Sequence, residues 1–280
     1  LGYAHYTDPF YLRFTSHKQK NLILGTSRAA QGLQPEIFKE RLGLEIYNYS
    51  FTLSHSPYGK VYYESIVKKH NKEKNGVFIL AVDPWSISSW CNDPNDLAKF
   101  RENELSLGIT HNVNMYPNFE YLLKNLKGNY KDILLPRTRK VFLHHDGWLE
   151  IKDIPMDSLS VSNRINEKLY DYRNKYLLKT KYSKVRYEYL LKIINYLSDY
   201  GEVYLVRLPV HFKMMEIEEE LMPNFNNTIK DAIKNSQGYL DLTEYNSRFK
   251  YTDGNHLHKS SGIEVSQLVA NWIEENKGNR

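Results

Sequence analysis

Val77-Phe78-Ile79-Leu80-Ala81-Val82 is apolar at every position and stops at Asp83-Pro84-Trp85. A run like that leaves no face for water, so it predicts a strand covered on both sides. Four more short runs predict strands, at 21–25, 45–49, 203–209 and 238–242. Segments of helical period lie between them. They are 35–42 with Pro35 at its first position, about 58–70 with Val61, Ile66 and Val67 on one face, and 225–235. After about residue 160 a long helix follows and ends near Tyr200 before Gly201, burying Tyr187, Leu190, Leu191, Ile194 and Leu197. The last, about 260–276, buries Ile263, Val265, Leu268, Val269 and Trp272. Strands alternating with helices predict an α/β fold of three layers, α/β/α, around a central parallel sheet of about five strands, flavodoxin-like in type.

At 280 residues the chain predicts one domain over 1–280 with an insertion at about 86–160, where the pattern weakens and only 119–126 reads as helix. Residues 1–20 read as a lead-in without a clear period. The net charge of +5 is spread along the chain, which argues against a nucleic-acid groove. The 23 tyrosines suit sugar stacking or tight packing equally well. Cys91 is the only cysteine, so neither an internal disulfide nor a cysteine metal site can form. His144-His145-Asp146 looks like a metal cluster, but adjacent side chains diverge, and a structural role is expected with no metal and no cofactor. No stretch reaches the roughly 18 apolar residues of a membrane span.

Two stretches carry chemistry. After 21–25 the chain reads Gly25-Thr26-Ser27-Arg28. A glycine turn at a strand's end places Ser27 at the carboxyl edge of the sheet, as a nucleophile or merely as a helix cap. Before the last helix stands Asp253-Gly254-Asn255-His256-Leu257. Asp and His three apart can set a carboxylate beside an imidazole, leaving the other ring nitrogen for a serine hydroxyl. His258 fits that spacing less well, His211 reads as a loop residue, and Cys91 has no neighbouring base.

Together these blocks resemble the SGNH (GDSL-type) hydrolases, and the likeness continues through Tyr47-Asn48, Ser56-Pro57, Asp83-Pro84 and Leu240-Asp241-Leu242. Within that superfamily the chain looks most like the exported branch that works beside membrane-bound O-acyltransferases on surface polysaccharides. The likeness covers about 20–85 and 200–275. It implies Ser27 as nucleophile, His256 as general base and Asp253 as its orienting acid. The activity implied is an O-acetyltransferase or carbohydrate esterase acting on a polysaccharide or other acyl ester. A membrane-bound O-acyltransferase is an implied partner. With an opening Leu1-Gly2-Tyr3 that lacks methionine, the likeness also sets the expectation of an extracytoplasmic protein, exported or anchored by an upstream segment.

The sequence departs from that pattern at the oxyanion hole. The second-block loop, 50–55, has no glycine, so Ser50 or Ser54 is the candidate donor. The third block has Asp83 where the family has asparagine, and an ionised carboxylate cannot donate a hydrogen bond. Arg28 and Arg207 are candidates to bind substrate or to compensate Asp83. The alternative reading is a catalytically impaired polysaccharide-binding or assembly module.

Overall fold

The computed structural model describes residue 5 and residues 8–125 and 140–278. Five parallel strands form the central sheet: β1 (Leu22–Leu24), β2 (Tyr47–Asn48), β3 (Gly76–Ala81), β4 (Gly201–Arg207) and β5 (Gly238–Asp241). Their spatial order is β2-β1-β3-β4-β5, the flavodoxin-like order with its switch point between β1 and β3. One row of the register runs Asn48, Ile23, Ile79, Tyr204, Gly238 across the sheet.

Parallel neighbours need crossovers, and helices supply them. They are α1 (Ser27–Gly32), α2 (Pro35–Leu42), α3 (Lys60–Lys69), α4 (Ser158–Asp171), α5 (Lys184–Ser198), α6 (Phe212–Leu221) and α7 (Lys259–Gly278). Alternate strand residues feed opposite layers. Leu22, Leu24, Phe78 and Leu80 pack with Tyr62 and Ile66 of α3 and with Leu190 and Ile194 of α5. Ile23, Val77 and Ile79 pack with Phe38 of α2 and with Val265 and Val269 of α7. Both layers cover β3, and every residue of it is buried. Full burial of such side chains contributes about 1.5–3 kcal/mol each, which is why the strand carries no polar position. The expected three-layer α/β/α architecture is the one found.

Several local expectations change. The buried face of α3 is Tyr62, Ser65, Ile66 and Lys69 rather than Val61 and Val67. The Tyr62 hydroxyl accepts from Gly25 N–H at 3.0 Å and donates to Tyr49 O at 2.8 Å, so that helix is registered by polar contacts at the sheet edge. Ile263 lies outside on α7, whose buried stripe is Val265, Val269, Ala270 and Ile273. The 225–235 helix is two short ones, Phe225–Thr228 and Lys230–Lys234. Gly201 opens β4 instead of ending the helix before it. The lead-in holds the short helix Tyr11–Thr15, whose fully buried Arg13 donates to Gly147 O at 2.7 Å. The helix expected at 119–126 is present as Phe119–Asn125, and Leu126 lies outside the described residues.

The excursion between β3 and β4 closes later than residue 160. Lys181–Tyr182 pairs back onto Ser88–Ser89, so α4 and the π-helical turn Tyr172–Tyr176 belong to it. Among the described residues no helix is long and apolar enough to cross a membrane. Tyr47, Tyr49, Tyr58, Tyr62 and Tyr204 are all buried, so much of the tyrosine content is packing.

Candidate active site

The site starts at the turn after β1. Gly25 has φ +150°, and a Cβ there would sit 3.0 Å from Ala81 Cβ and 3.1 Å from Ala29 Cβ. Only glycine lets β1 turn at once into α1 beside β3. The turn is held by Ser56 Oγ, which donates to Gly25 O at 2.7 Å. Tyr58 likewise donates to Ala81 O at 2.7 Å. Ser27 is therefore the first residue of α1, at the carboxyl edge of the sheet beside the switch point.

The second half comes from the loop before α7. Asp253 Oδ1 accepts from the backbone N–H groups of Asn255 (3.0 Å) and His256 (2.9 Å), tying the turn into a knot. Gly254 takes φ +79° there, and its carbonyl accepts from His211 N–H at 3.0 Å. The turn lays the His256 ring against the carboxylate, with Nδ1 at 3.0 Å from Oδ1 and 2.9 Å from Oδ2. Its Nε2 lies 2.8 Å from Ser27 Oγ. An ionised carboxylate only accepts, so Nδ1 carries the hydrogen and Nε2 offers its lone pair to the Ser27 hydroxyl. Such a chain can take a proton from the hydroxyl and hold the resulting imidazolium.

Lys168 of α4 reaches the same carboxylate, Nζ to Asp253 Oδ2 at 3.1 Å. Burial works to raise the Asp253 pKa. The His256 ring and Lys168 outweigh it and hold the carboxyl well below the usual range. Nothing in the sequence marked Lys168, because its helix lies in the excursion and meets Asp253 only through tertiary packing.

The candidate oxyanion and substrate residues are distributed differently from expectation. Ser50 is fully buried, its hydroxyl donates to Ile23 O at 3.4 Å, and it does not line the cleft over Ser27. Ser54 lines that cleft together with Thr52 and Leu53. Asp83 is turned away, accepting from Ser86 N–H at 2.9 Å in a capping box. Burial pushes its carboxyl up against the pull of Arg28, whose Nη1 stands 3.8 Å from Oδ2.

Arg28 and Arg207 are not presented to a substrate, because both are buried in one ionic cluster. Glu218 of α6 sits 2.5 Å from Arg28 Nη2 and accepts from Arg207 Nη2 at 3.3 Å. Arg207 also lies 3.8 Å from Asp241 and over the Phe225 ring. Burial disfavours the Arg28 charge, but Glu218 and Asp83 outweigh it and keep the guanidinium protonated. The remaining Arg28 donors go to Asn255 Oδ1, Nε at 3.0 Å and Nη2 at 2.7 Å. Asn255 was within the quoted motif yet had no assigned part.

The cleft over Ser27 has a volume of about 180 Å³. Trp85 and Trp90 from the chain after β3, and Tyr172 and Tyr176 from the π-helical turn, make its wall. Trp90 stacks on Tyr176 with centroids 5.0 Å apart, and Trp85 meets Tyr172 edge-on at 4.8 Å. Other candidates sit elsewhere. His258 Nδ1 bonds Ser260 Oγ, His211 caps α6, and Cys91 Sγ donates to Lys99 O. His144 pairs with Glu150 at 3.0 Å and stacks on Trp148 within a hairpin.

No family model matches the sequence, and no curated protein does. Among solved structures, this chain is similar to a carbohydrate acetylesterase family member from Sinorhizobium meliloti. The match spans 93% of this chain and all of that one, at 10% identity and a TM-score of 0.38. A superposition that loose says nothing of activity.

Proposed function

We propose that the protein is a serine-dependent acyl-transfer enzyme of carbohydrate, an O-acetyltransferase or an esterase. One observation carries the reading: Ser27 Oγ lies 2.8 Å from His256 Nε2, and Asp253 holds the other ring nitrogen. The Ser27 oxygen attacks the ester carbonyl while its proton passes to Nε2. The intermediate collapses, the ester C–O bond breaks, and the departing alkoxide takes the proton from the imidazolium. Water or a sugar hydroxyl then attacks the acyl-serine, losing its proton to the same nitrogen, and Ser27 leaves with it restored. Transfer and hydrolysis share this path and differ in which hydroxyl reaches the acyl-enzyme.

The aromatic wall of the cleft suits a sugar ring, since pyranose C–H faces pack on tryptophan and tyrosine. Following the sequence resemblance, we place this chemistry outside the cytoplasm, with a membrane-bound O-acyltransferase as donor of the acyl group. Fractionation of the producing cells and co-purification with such a partner test those two points.

The catalytic reading is tested by incubation with p-nitrophenyl acetate and intact-mass measurement. An acetyl adduct is expected on Ser27 and absent from Ser27→Ala. No adduct with any short acyl donor, and a Ser27→Ala variant that behaves like the parent, would favour the binding-module alternative.

A further inference from the structure

We propose that Asn255 is a catalytic residue, the side-chain donor that stabilises the oxyanion at Ser27. The proposal rests on the acyl-transfer reading of Ser27. Attack on an ester puts a negative charge on the carbonyl oxygen, and a fixed N–H aimed at it is worth more than solvent. Asp83 stands where the resemblance calls for such a donor, and its carboxylate is committed to Ser86 and Arg28.

Asn255 meets the requirement from the other side of the site. It is only 4% exposed, yet it lines the cleft over Ser27. Arg28 fixes which end of the carboxamide faces inward. A guanidinium only donates, and two of its N–H groups point at Asn255, so that end is the oxygen. The NH₂ end is thereby turned to the reacting groups, with Nδ2 3.4 Å from His256 Nε2. That ring nitrogen already holds Ser27 Oγ at 2.8 Å, so the long contact leaves amide hydrogen-bonding capacity for a third atom.

The support is rigid and polarising. Glu218 and Asp83 clamp Arg28, and Arg28 draws electron density toward Oδ1, making Nδ2 a better donor. The buried ionic cluster thus acts on the chemistry through the amide. Asp83 becomes part of the clamp instead of an obstacle in the hole.

The test uses the full chain with p-nitrophenyl acetate, measuring kcat, KM and the pH profile of Ser27→Ala, Asn255→Ala and Asn255→Asp. Asn255→Asp is the informative variant, because a carboxylate keeps the Arg28 contact and the turn while losing the donor. Both Asn255 variants are expected to lose roughly 100- to 1,000-fold in kcat with KM nearly unchanged. The acid limb stays in place in Asn255→Ala, whereas the carboxylate of Asn255→Asp, so close to His256 Nε2, moves it to higher pH. Near-parental kcat in Asn255→Asp, with Ser27→Ala inactive, would overturn the proposal and leave the Ser27 reading standing. A rise confined to KM would make Asn255 a substrate ligand, and an acid limb displaced in Asn255→Ala, which introduces no charge, would make it a residue acting through His256. Either result overturns the proposal. Undiminished turnover in Ser27→Ala overturns the Ser27 reading and this proposal with it.

Discussion

Replacing Lys168 with methionine should move the acid limb of kcat/KM to higher pH. Lys168 Nζ is 3.1 Å from Asp253 Oδ2, and that carboxylate is 2.9 Å from His256 Nδ1. The cation therefore lies no more than about 6 Å from the ring, where it disfavours the imidazolium. Coulomb's law gives about 2.8 kcal/mol for two unit charges at that separation in an effective dielectric of about 20, and about 0.7 kcal/mol in bulk water. The Lys168 side chain is 33% exposed, so the lower part of that range applies. The sign follows from the charges. Removing a positive neighbour favours protonation, and the protonated ring cannot accept the Ser27 proton. Since about 1.4 kcal/mol corresponds to one pH unit, the limb should rise by roughly half to one unit. The assay is hydrolysis of p-nitrophenyl acetate in buffers of constant ionic strength, with added salt shrinking the shift between parent and variant. A limb that stays put, or moves to lower pH, would refute the electrostatic coupling of α4 to the site.

Three further outcomes follow from the geometry. Gly25→Ala puts a Cβ 3.0 Å from Ala81 Cβ at φ +150° and should cost about 1–3 kcal/mol in urea unfolding; a neutral result would refute the strained turn. Glu218→Gln removes the anion shared by Arg28 and Arg207 and should cost about 3–5 kcal/mol in the same measurement, whereas a loss below about 1 kcal/mol would show that the cluster is already compensated. Asp253 has a folded-state pKa held below its unfolded value, so its stabilisation is present above about pH 4 and is lost as pH falls through the folded pKa. Unfolding midpoints taken down to about pH 3 should fall less steeply in Asp253→Asn than in the parent, and parallel curves would count against the assigned shift.

The layered fold was legible in the sequence because strand and helix periods are local properties. The all-apolar 77–82 run could only be a strand covered on both sides, and Pro35 opens α2 where its fixed φ belongs. Gly25 and the Asp253–His256 spacing were legible for the same reason, since each is a short-range constraint on a turn. Together with the resemblance to the SGNH hydrolases, those two turns mark Ser27, His256 and Asp253 as a set in the sequence.

What the sequence could not supply depends on which distant segments pack together. The stretch after residue 160 reads as one long helix ending near Tyr200, but it folds as α4, which stops at Asp171, and α5, with the π-helical turn between them, and that break is what lets α4 deliver Lys168 to Asp253. The buried face of α3 includes Tyr62 because its hydroxyl found backbone partners at the sheet edge, which hydropathy does not register. Arg28 and Arg207 read as possible substrate ligands until Glu218, from α6, closed around them. The orientation of the Asn255 amide is the clearest case. Residue type states that one end donates and the other accepts, but only Arg28, 227 positions away in sequence, decides which end faces Ser27. Local chemistry thus fixed the strands, the turns and the residue types at the candidate site. Tertiary packing fixed their charges, their orientation and the wall of the cleft, because those are sums over neighbours that the chain brings together only when folded.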